Sequence, residues 1–325
     1  MRVAAVLVAY ALAGAFVAPW LLARASWPQR APRLAIAVWL ASAASVVLAL
    51  GLAGVALAVP TVPVSSGLSQ WLQACAMAIR AAYATPGGII LGATGTAFAL
   101  FVTARTAVAL SGSWARATWA RRAHRRAVVL AGRPRHDIDA LIVDCDTAAA
   151  YCVPGRHRQV VLTTAALAAL SDAELAAVLA HERAHLRGRH HHLVGVASGL
   201  ARAFPGIPLF QAAKEQVAAL VEMVADDVAA GAHHRATIAT AVVALAGMHA
   251  PQAALGASGS AALTRVRRLV APAAPLHRAA LLAGVLAVVG IVALPVSVAA
   301  APALHAMHMN LCPVHPGITP PVSSA

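Results

Sequence analysis

Acidic residues are scarce in this chain: only 11 of its 325 residues are Asp or Glu. Charge of any sign is thin, 11% against about a quarter in ordinary soluble domains, and 60% of the residues are hydrophobic. That excludes an ordinary soluble protein. Lysine is all but missing, Lys214 being the only one, so the net charge of +14 is carried by arginine. So basic a balance could point to nucleic acid. Its distribution argues against that, because every acid lies between Asp137 and Asp227 while the arginines cluster beside long apolar runs. The pattern is that of a multi-span membrane protein with one polar domain set into it, and no direct nucleic-acid binding is expected. Cysteine is rare too: Cys75, Cys145, Cys152 and Cys312 form neither a zinc ribbon nor a C-x-x-C redox motif. No internal repeat is evident.

What is present, first, is four apolar runs long enough to cross a bilayer, which needs about 20 residues; three are uncharged and the third carries only Arg105, near its inner end. Val3 to Leu22 is the first. A cleaved signal peptide is the competing reading, since only Arg2 precedes it. Arg24, Arg30 and Arg33 follow, and the positive-inside rule places them in the cytoplasm and the N-terminus outside. Leu34 to Val59 returns the chain, so residues 1–59 make a membrane hairpin. Residues 60–86 are an extracytoplasmic loop, in which Leu68, Trp71, Leu72, Cys75 and Ile79 fall at helical spacing. Residues 87–110 are the third span, residues 279–303 the fourth, with a kink expected at Pro295. Residues 304–325 are a tail outside the cell. Between spans three and four lie a basic cytoplasmic linker, 111–136, and a polar domain, 137–272. A Cys75–Cys312 disulfide is an expectation, because only the outer compartment is oxidising. The tail holds His305, Met307, His308, Met309, Cys312 and His315, soft and borderline ligands that could take copper or zinc, although an unstructured tail is the plainer reading.

Within the polar domain, Ile138 to Cys145, Ala149 to Val153 and Gln159 to Thr163 have the β-branched look of strands. Ser171-Asp172-Ala173-Glu174 is a capping box and starts a helix running to Leu186. Leu193 to Phe210, interrupted by Arg202, Pro205 and Pro208, is read as a loop touching the inner leaflet. Gln211 to Ala230 is a second helix closed by Gly231, and Arg235 to Met248 a third. Gly256 to Ser260 is a flexible break, after which Arg265, Arg267 and Arg268 approach the membrane.

The first helix contains His181-Glu182-Arg183-Ala184-His185, an H-E-x-x-H sequence. Four residues make just over one turn, so the two imidazoles share a face and can share one zinc ion, with Glu182 beside them as candidate general base. A catalytic zinc needs a third protein ligand and an open position. Glu222, 37 residues (222 − 185) after His185 on the second helix, supplies the ligand. Asp226, one turn on, can accept a hydrogen bond from a zinc-bound histidine. Asp227 is expected to be a solvated or structural carboxylate, and Arg183 to face solvent. Zinc lowers the pKa of its bound water to about 7; Glu182 would take the proton and pass it to the leaving amine. For an oxyanion donor or substrate contact, Tyr151, His233, His234 and Arg235 are candidates among which the sequence does not choose. His190-His191-His192 reads as a basic helix end and not as ligands.

H-E-x-x-H with a downstream E-x-x-x-D is the gluzincin arrangement. Set between a third and a fourth span, it resembles the BlaR/MecR family of membrane zinc metallopeptidases. Ala150 to Gly155, Gln159 to Thr163 and Leu170 to Leu175 resemble that family's run into the zinc helix. The resemblance implies His181, His185 and Glu222 as zinc ligands, one Zn2+ per chain, and Glu182 as the catalytic residue. It also implies an upstream strand, Tyr151 to Val153, that pairs with the substrate backbone by edge addition. The sensing members carry a penicillin-binding domain with a Ser-x-x-Lys nucleophile. Here the lone Lys214 has Gln211 three residues before it, so acylation by a β-lactam through that motif is not expected.

The expected fold is therefore mainly α: a polytopic inner-membrane protein with four transmembrane helices and a cytoplasmic α+β gluzincin zinc-peptidase domain between spans three and four. The expected activity is a zinc metalloendopeptidase in signal transduction. Its partners would be the lipid bilayer and a cytoplasmic transcriptional repressor of the BlaI/MecI type, and a homo-oligomer is compatible with the sequence. The alternatives are an HtpX-like protease for membrane-protein quality control and a non-catalytic, zinc-stabilised sensor or scaffold.

Overall fold

A computed structural model of the chain describes residues 1–59, 73, 77, 80–81, 83–155, 159–247 and 258–309. The helical pattern from Leu68 to Ile79, the Cys75–Cys312 pairing and the side chains of the C-terminal tail lie outside what is described. Among the described residues the chain is mostly helical, with one small sheet. Four helical stretches are long and apolar enough to cross a membrane: Arg2–Arg24, Pro32–Ala58, Pro86–Ala131 and Arg278–Pro302.

The first stretch is two helices, α1 (Arg2–Phe16) and α2 (Ala18–Arg24), joined at Val17 just before Pro19. Helix α3 covers Pro32–Ala58. Helix α4 is 46 residues long, Pro86–Ala131, about 69 Å at 1.5 Å per residue. The basic segment after the third apolar run continues the helix as far as Ala131. No proline falls between Gly87 and Ala131, and alanines separate the arginines, so nothing stops the helix before Gly132 and Pro134.

Two compact units can be distinguished. The smaller comprises the described parts of Met1–Ala11, Val47–Thr103 and Ala293–Ala325. In it α3 and α4 touch backbone to backbone: a Cβ on Gly54 would lie 2.7 Å from the Gly95 carbonyl oxygen, and one on Gly95 would lie 2.6 Å from that of Gly54. Glycine is needed at both positions. Tyr83 donates to the Ala58 carbonyl at 3.1 Å nearby.

The larger unit, Leu12–Val46 and Ala104–Val292, holds the polar region. Its sheet has the order β1 (Arg133–Arg135), β2 (Ala140–Val143), β4 (Gln159–Thr163), β3 (Ala150–Val153). β2 and β4 run parallel, and the two outer pairs are antiparallel. β4 alternates between two cores, as a strand covered on both faces must. Val160 and Leu162 pack with Val178, Leu179 and Leu186, while Val161 packs with Leu141, Val153 and Val128 of α4.

A short helix, α5 (Thr164–Ala169), leads into α6 (Asp172–Arg187). Ser171 and Glu174 form the capping box, with Glu174 Oε2 accepting from the Ser171 backbone at 2.9 Å. The segment read as a membrane-touching loop is helical over most of its length. α7 spans His190–Ala203, and only Phe204–Ile207, with Gly206 at φ +82°, is irregular before α8 (Pro208–Ala229). The reason is packing: Ala197, Leu200, Ala201 and Ala203 are buried at helical spacing, and the prolines fall where helices end or begin. α8 ends at Ala229 and is capped by Ala230, one residue before the expected Gly231. α9 (Arg235–Gly247), α10 (Ser258–Val270) and α11 (Arg278–Met309) complete the order.

Candidate metal centre and active site

The site is built where α6 crosses α8. The cap fixes the start of α6, and burial of Ala177, Val178, Leu179 and Ala184 fixes its roll. His181 and His185 then sit one turn apart. On α8, Glu222 and Asp226 sit one turn apart as well, with Leu220, Val221, Met223, Val224 and Ala225 buried around them. The Nε2 atoms of the two histidines are 3.0 Å apart. His181 Nε2 lies 3.3 Å from Glu222 Oε2, and His185 Nε2 lies 3.4 Å from Glu222 Oε1.

Two imidazole lone pairs and a carboxylate facing one point repel each other unless a cation or proton sits between them. In a tetrahedral zinc site with metal–ligand distances near 2.0–2.1 Å, donors are separated by about 3.3 Å. The spacing therefore fits zinc, and among the described residues this is the group of His, Cys, Asp and Glu side chains placed to hold a metal ion.

Residues 114–273 match the model of peptidase family M48. The match, which takes in just under half of the chain, supports a metallopeptidase of M48 type, a family that is zinc-dependent in general. It starts at Trp114, inside α4, and ends at Ala273, so it takes in the basic half of that long helix along with the sheet and the site. The match does not single out the BlaR/MecR group. No curated protein and no solved structure gives a significant match to the chain.

The ligand candidates are held from behind. Asp226, fully buried, accepts from His181 Nδ1 at 3.0 Å. That contact presents Nε2 of His181 toward Glu222. His185 is held in a way the sequence did not show: its Nδ1 lies 2.8 Å from Nδ1 of His190, the first residue of α7. Burial, then the neighbouring His185 charge, pushes the His190 pKa down to about 4. His190 is therefore neutral near pH 7, so its Nδ1 can accept the proton of His185 Nδ1. This histidine follows Arg189, which caps α7 with left-handed φ of 49°.

The larger omission is Arg265. Read from sequence as approaching the membrane, it instead turns into the site from α10. It forks onto Asp226 through Nε at 2.9 Å and a terminal nitrogen at 2.7 Å, and its other terminal nitrogen is 3.1 Å from Glu222 Oε2. Burial alone would raise both carboxylates. Bonds from the histidines and Arg265 outweigh it and hold Glu222 and Asp226 below the usual carboxylate range. His181 goes the other way: burial opposes its charge, yet bonds to Asp226 and Glu222 lift its pKa to about 9.

Glu182 is not a ligand candidate by position but lines the same cavity of about 490 Å³ as His181, His185 and Glu222. Burial raises its pKa, the direction a general base near neutrality requires. Cys152, on β3, contacts Glu182; burial and that carboxylate push the thiol up to about 12, so it stays protonated and acts as a donor. Ala150, Tyr151 and Cys152 form one wall of the cavity. β3 is the edge of the sheet and, among the described strands, pairs only with β4.

Of the four candidates for oxyanion or substrate contact, only Tyr151 lines the cavity, with its hydroxyl 3.1 Å from His124 Nε2. His233, His234 and Arg235 do not: they lie in the turn after α8 and at the start of α9, where Arg235 is 3.7 Å from Asp227. Asp227 is structural, forked by Arg268 at 2.6 and 2.9 Å. Arg183 does not face solvent but donates to the Ile138 carbonyl at 2.8 Å, tying α6 to the start of β2.

Proposed function

We propose that the chain is a membrane-anchored zinc endopeptidase in which His181, His185 and Glu222 hold the metal and Glu182 is the general base. The observation that carries this reading is the convergence of three ligand atoms, all within 4.8 Å of one another, beside the half-buried Glu182 carboxylate and the edge strand β3. Bound there, zinc supplies Lewis acidity toward a carbonyl and makes water acidic enough to react near pH 7. The chain's own residues do the rest. Asp226 and His190 fix the ring nitrogens that face the metal position. Glu182, its pKa raised by burial, accepts the proton of the attacking water and delivers it to the departing amine. The outer edge of β3 aligns the substrate as an added strand across the cavity, with Tyr151 on that strand as substrate contact or oxyanion donor.

Arginines flank the apolar stretches on one side, at Arg24, Arg30 and Arg33 and from Arg116 to Arg135, which supports a cytoplasmic peptidase domain with both termini outside. The substrate is a cytoplasmic transcriptional repressor of the BlaI/MecI type; the run from Ala150 to Leu175 into the zinc helix supports this. The family match, which does not separate BlaR/MecR proteins from other M48-type peptidases, keeps membrane-protein quality control as a second reading.

Comparison of new protein N-termini in cells carrying wild type or Glu182→Ala tests all of this. A single repressor fragment that vanishes in the variant supports signalling, and many membrane-protein fragments support quality control. A Glu182→Ala protein that retains zinc and full biological function would leave only a scaffold.

A further inference from the structure

A second cavity, about 450 Å³, lies elsewhere in the larger unit. Arg121, Arg122 and Arg125 of α4, Arg189 of the turn after α6, and His191 and His192 of α7 line it. No carboxylate does. All 11 acids of the chain are among the described residues, and none comes within 4.0 Å of these four guanidiniums. The field is felt locally: burial, then the charges of His192, Arg121 and Arg189, pushes His191 down to about 4. So many cations around one cavity, with no acid among them, call for an anion.

An apolar groove of about 280 Å³ adjoins it, lined by Leu110 and Ala117 of α4 and by Gly195 and Val196 of α7. The groove and the basic cavity share Trp114, Arg121, His191 and His192. Trp114 stacks on His192 with ring centroids 4.8 Å apart. The groove begins at Leu110, at the inner end of the third apolar run and six residues before the arginine cluster that starts at Arg116. A basic chamber joined through a tryptophan to an apolar slot, at the end of a span, has the shape of an amphiphile with an anionic head. A free phosphate would fill only the chamber.

We propose that this double cavity binds one anionic phospholipid, its phosphate among Arg121, Arg125 and Arg189 and an acyl chain along Leu110, Gly195 and Val196. The site rests on the reading that α4 crosses a bilayer. It also reaches the metal centre. Leu186 of the His181 helix and Pro154 and Gly155 at the end of β3 line it, and Arg189 adjoins His190, which bonds His185. The lipid would thus hold together the ends of the zinc helix and of the substrate strand.

Native mass spectrometry of the full chain, released from detergent with phosphatidylglycerol, phosphatidylcholine or inorganic phosphate added, tests the proposal. One phosphatidylglycerol should be retained, about tenfold over phosphatidylcholine, and Arg121→Gln with Arg189→Gln should lower retention about tenfold. Arg116→Gln with Arg126→Gln makes the same change in charge outside the cavity and should leave retention unchanged. Gly195→Leu fills the groove, because a Cβ there meets nothing within 4 Å, and as a helix-favouring change it should lower retention without unfolding the chain. Equal losses in both double variants, retention unaffected by Gly195→Leu, or displacement of the lipid by inorganic phosphate would each overturn the assignment. The readout is bound mass and not cleavage, so it stands or falls apart from the peptidase reading.

Discussion

Nδ1 of His190 lies 2.8 Å from Nδ1 of His185, so the first residue of α7 orients a candidate zinc ligand at the end of α6. Outer partners of this kind fix tautomer and ring orientation, and their loss costs metal affinity about 10- to 100-fold. His190→Ala should therefore weaken zinc binding by that factor while His181 keeps its own support from Asp226. Competition against a zinc chelator measures it; an affinity equal to wild type would show that the contact is incidental.

The same contact shows where sequence reading stopped. The pair His181 and His185, the placement of Glu222 and Asp226, the capping box at Ser171 and the strand at Gln159 to Thr163 follow from local period and spacing. All of them were legible. His190 was not, because a histidine after a helix end looks the same whether it faces water or folds back on the preceding turn. Arg265 was hidden for another reason. It stands 39 residues beyond Asp226, and only the return of α10 onto α8 brings them together. The one sequence hint was the pair of carboxylates Glu222 and Asp226 set among apolar neighbours on α8, which calls for a buried cation. His233, His234 and Arg235 do not line the cavity, because nearness in sequence to α8 says nothing of which side of it the chain leaves by.

Arg265 is the cation for two carboxylates, and Asp226 is only 1% exposed. Removing one partner of a buried pair costs about 3–5 kcal/mol, because the other charge stays buried alone. Arg265→Leu should lower the thermal midpoint of the metal-free protein clearly. Arg265→Leu combined with Asp226→Leu should recover part of that loss, since two apolar groups replace two charges. If the double variant melts no higher than the single one, the pair does not act as a unit.

Proton and zinc compete for His181, whose pKa in the folded chain is raised from 6.5 to about 9. Below pH 9 the ring must give up a proton to bind, so apparent zinc affinity should rise with pH up to about 9, by about tenfold per unit from this residue. Metal-free stability has the opposite sign. The His181 contribution is complete below pH 6.5 and is lost as pH rises through about 9. Zinc titrations from pH 6.5 to 8.5 in buffers of different ionisation enthalpy should show about one proton released per ion. Affinity flat across that range would mean that His181 is neutral before zinc arrives.

Cys152 and Glu182 form the remaining pair. The thiol, with its pKa near 12, is protonated at any working pH and donates to the carboxylate, which lowers the Glu182 pKa against the dominant upward push of burial. Two consequences can be separated experimentally. Cys152 should resist alkylation at pH 8, where its thiol stays protonated; exposed Cys145 serves as the internal comparison in peptide mass mapping. Cys152→Ala should remove the donor and let burial raise Glu182 further. A general base works only when deprotonated, so the acid limb of the kcat/KM profile should move to higher pH, with the alkaline limb unchanged. Cys152→Ser, which retains a donor, should keep the limb near its original place. A Cys152→Ala limb that moves to lower pH, or not at all, would mean that the proton leaving water does not reach Glu182.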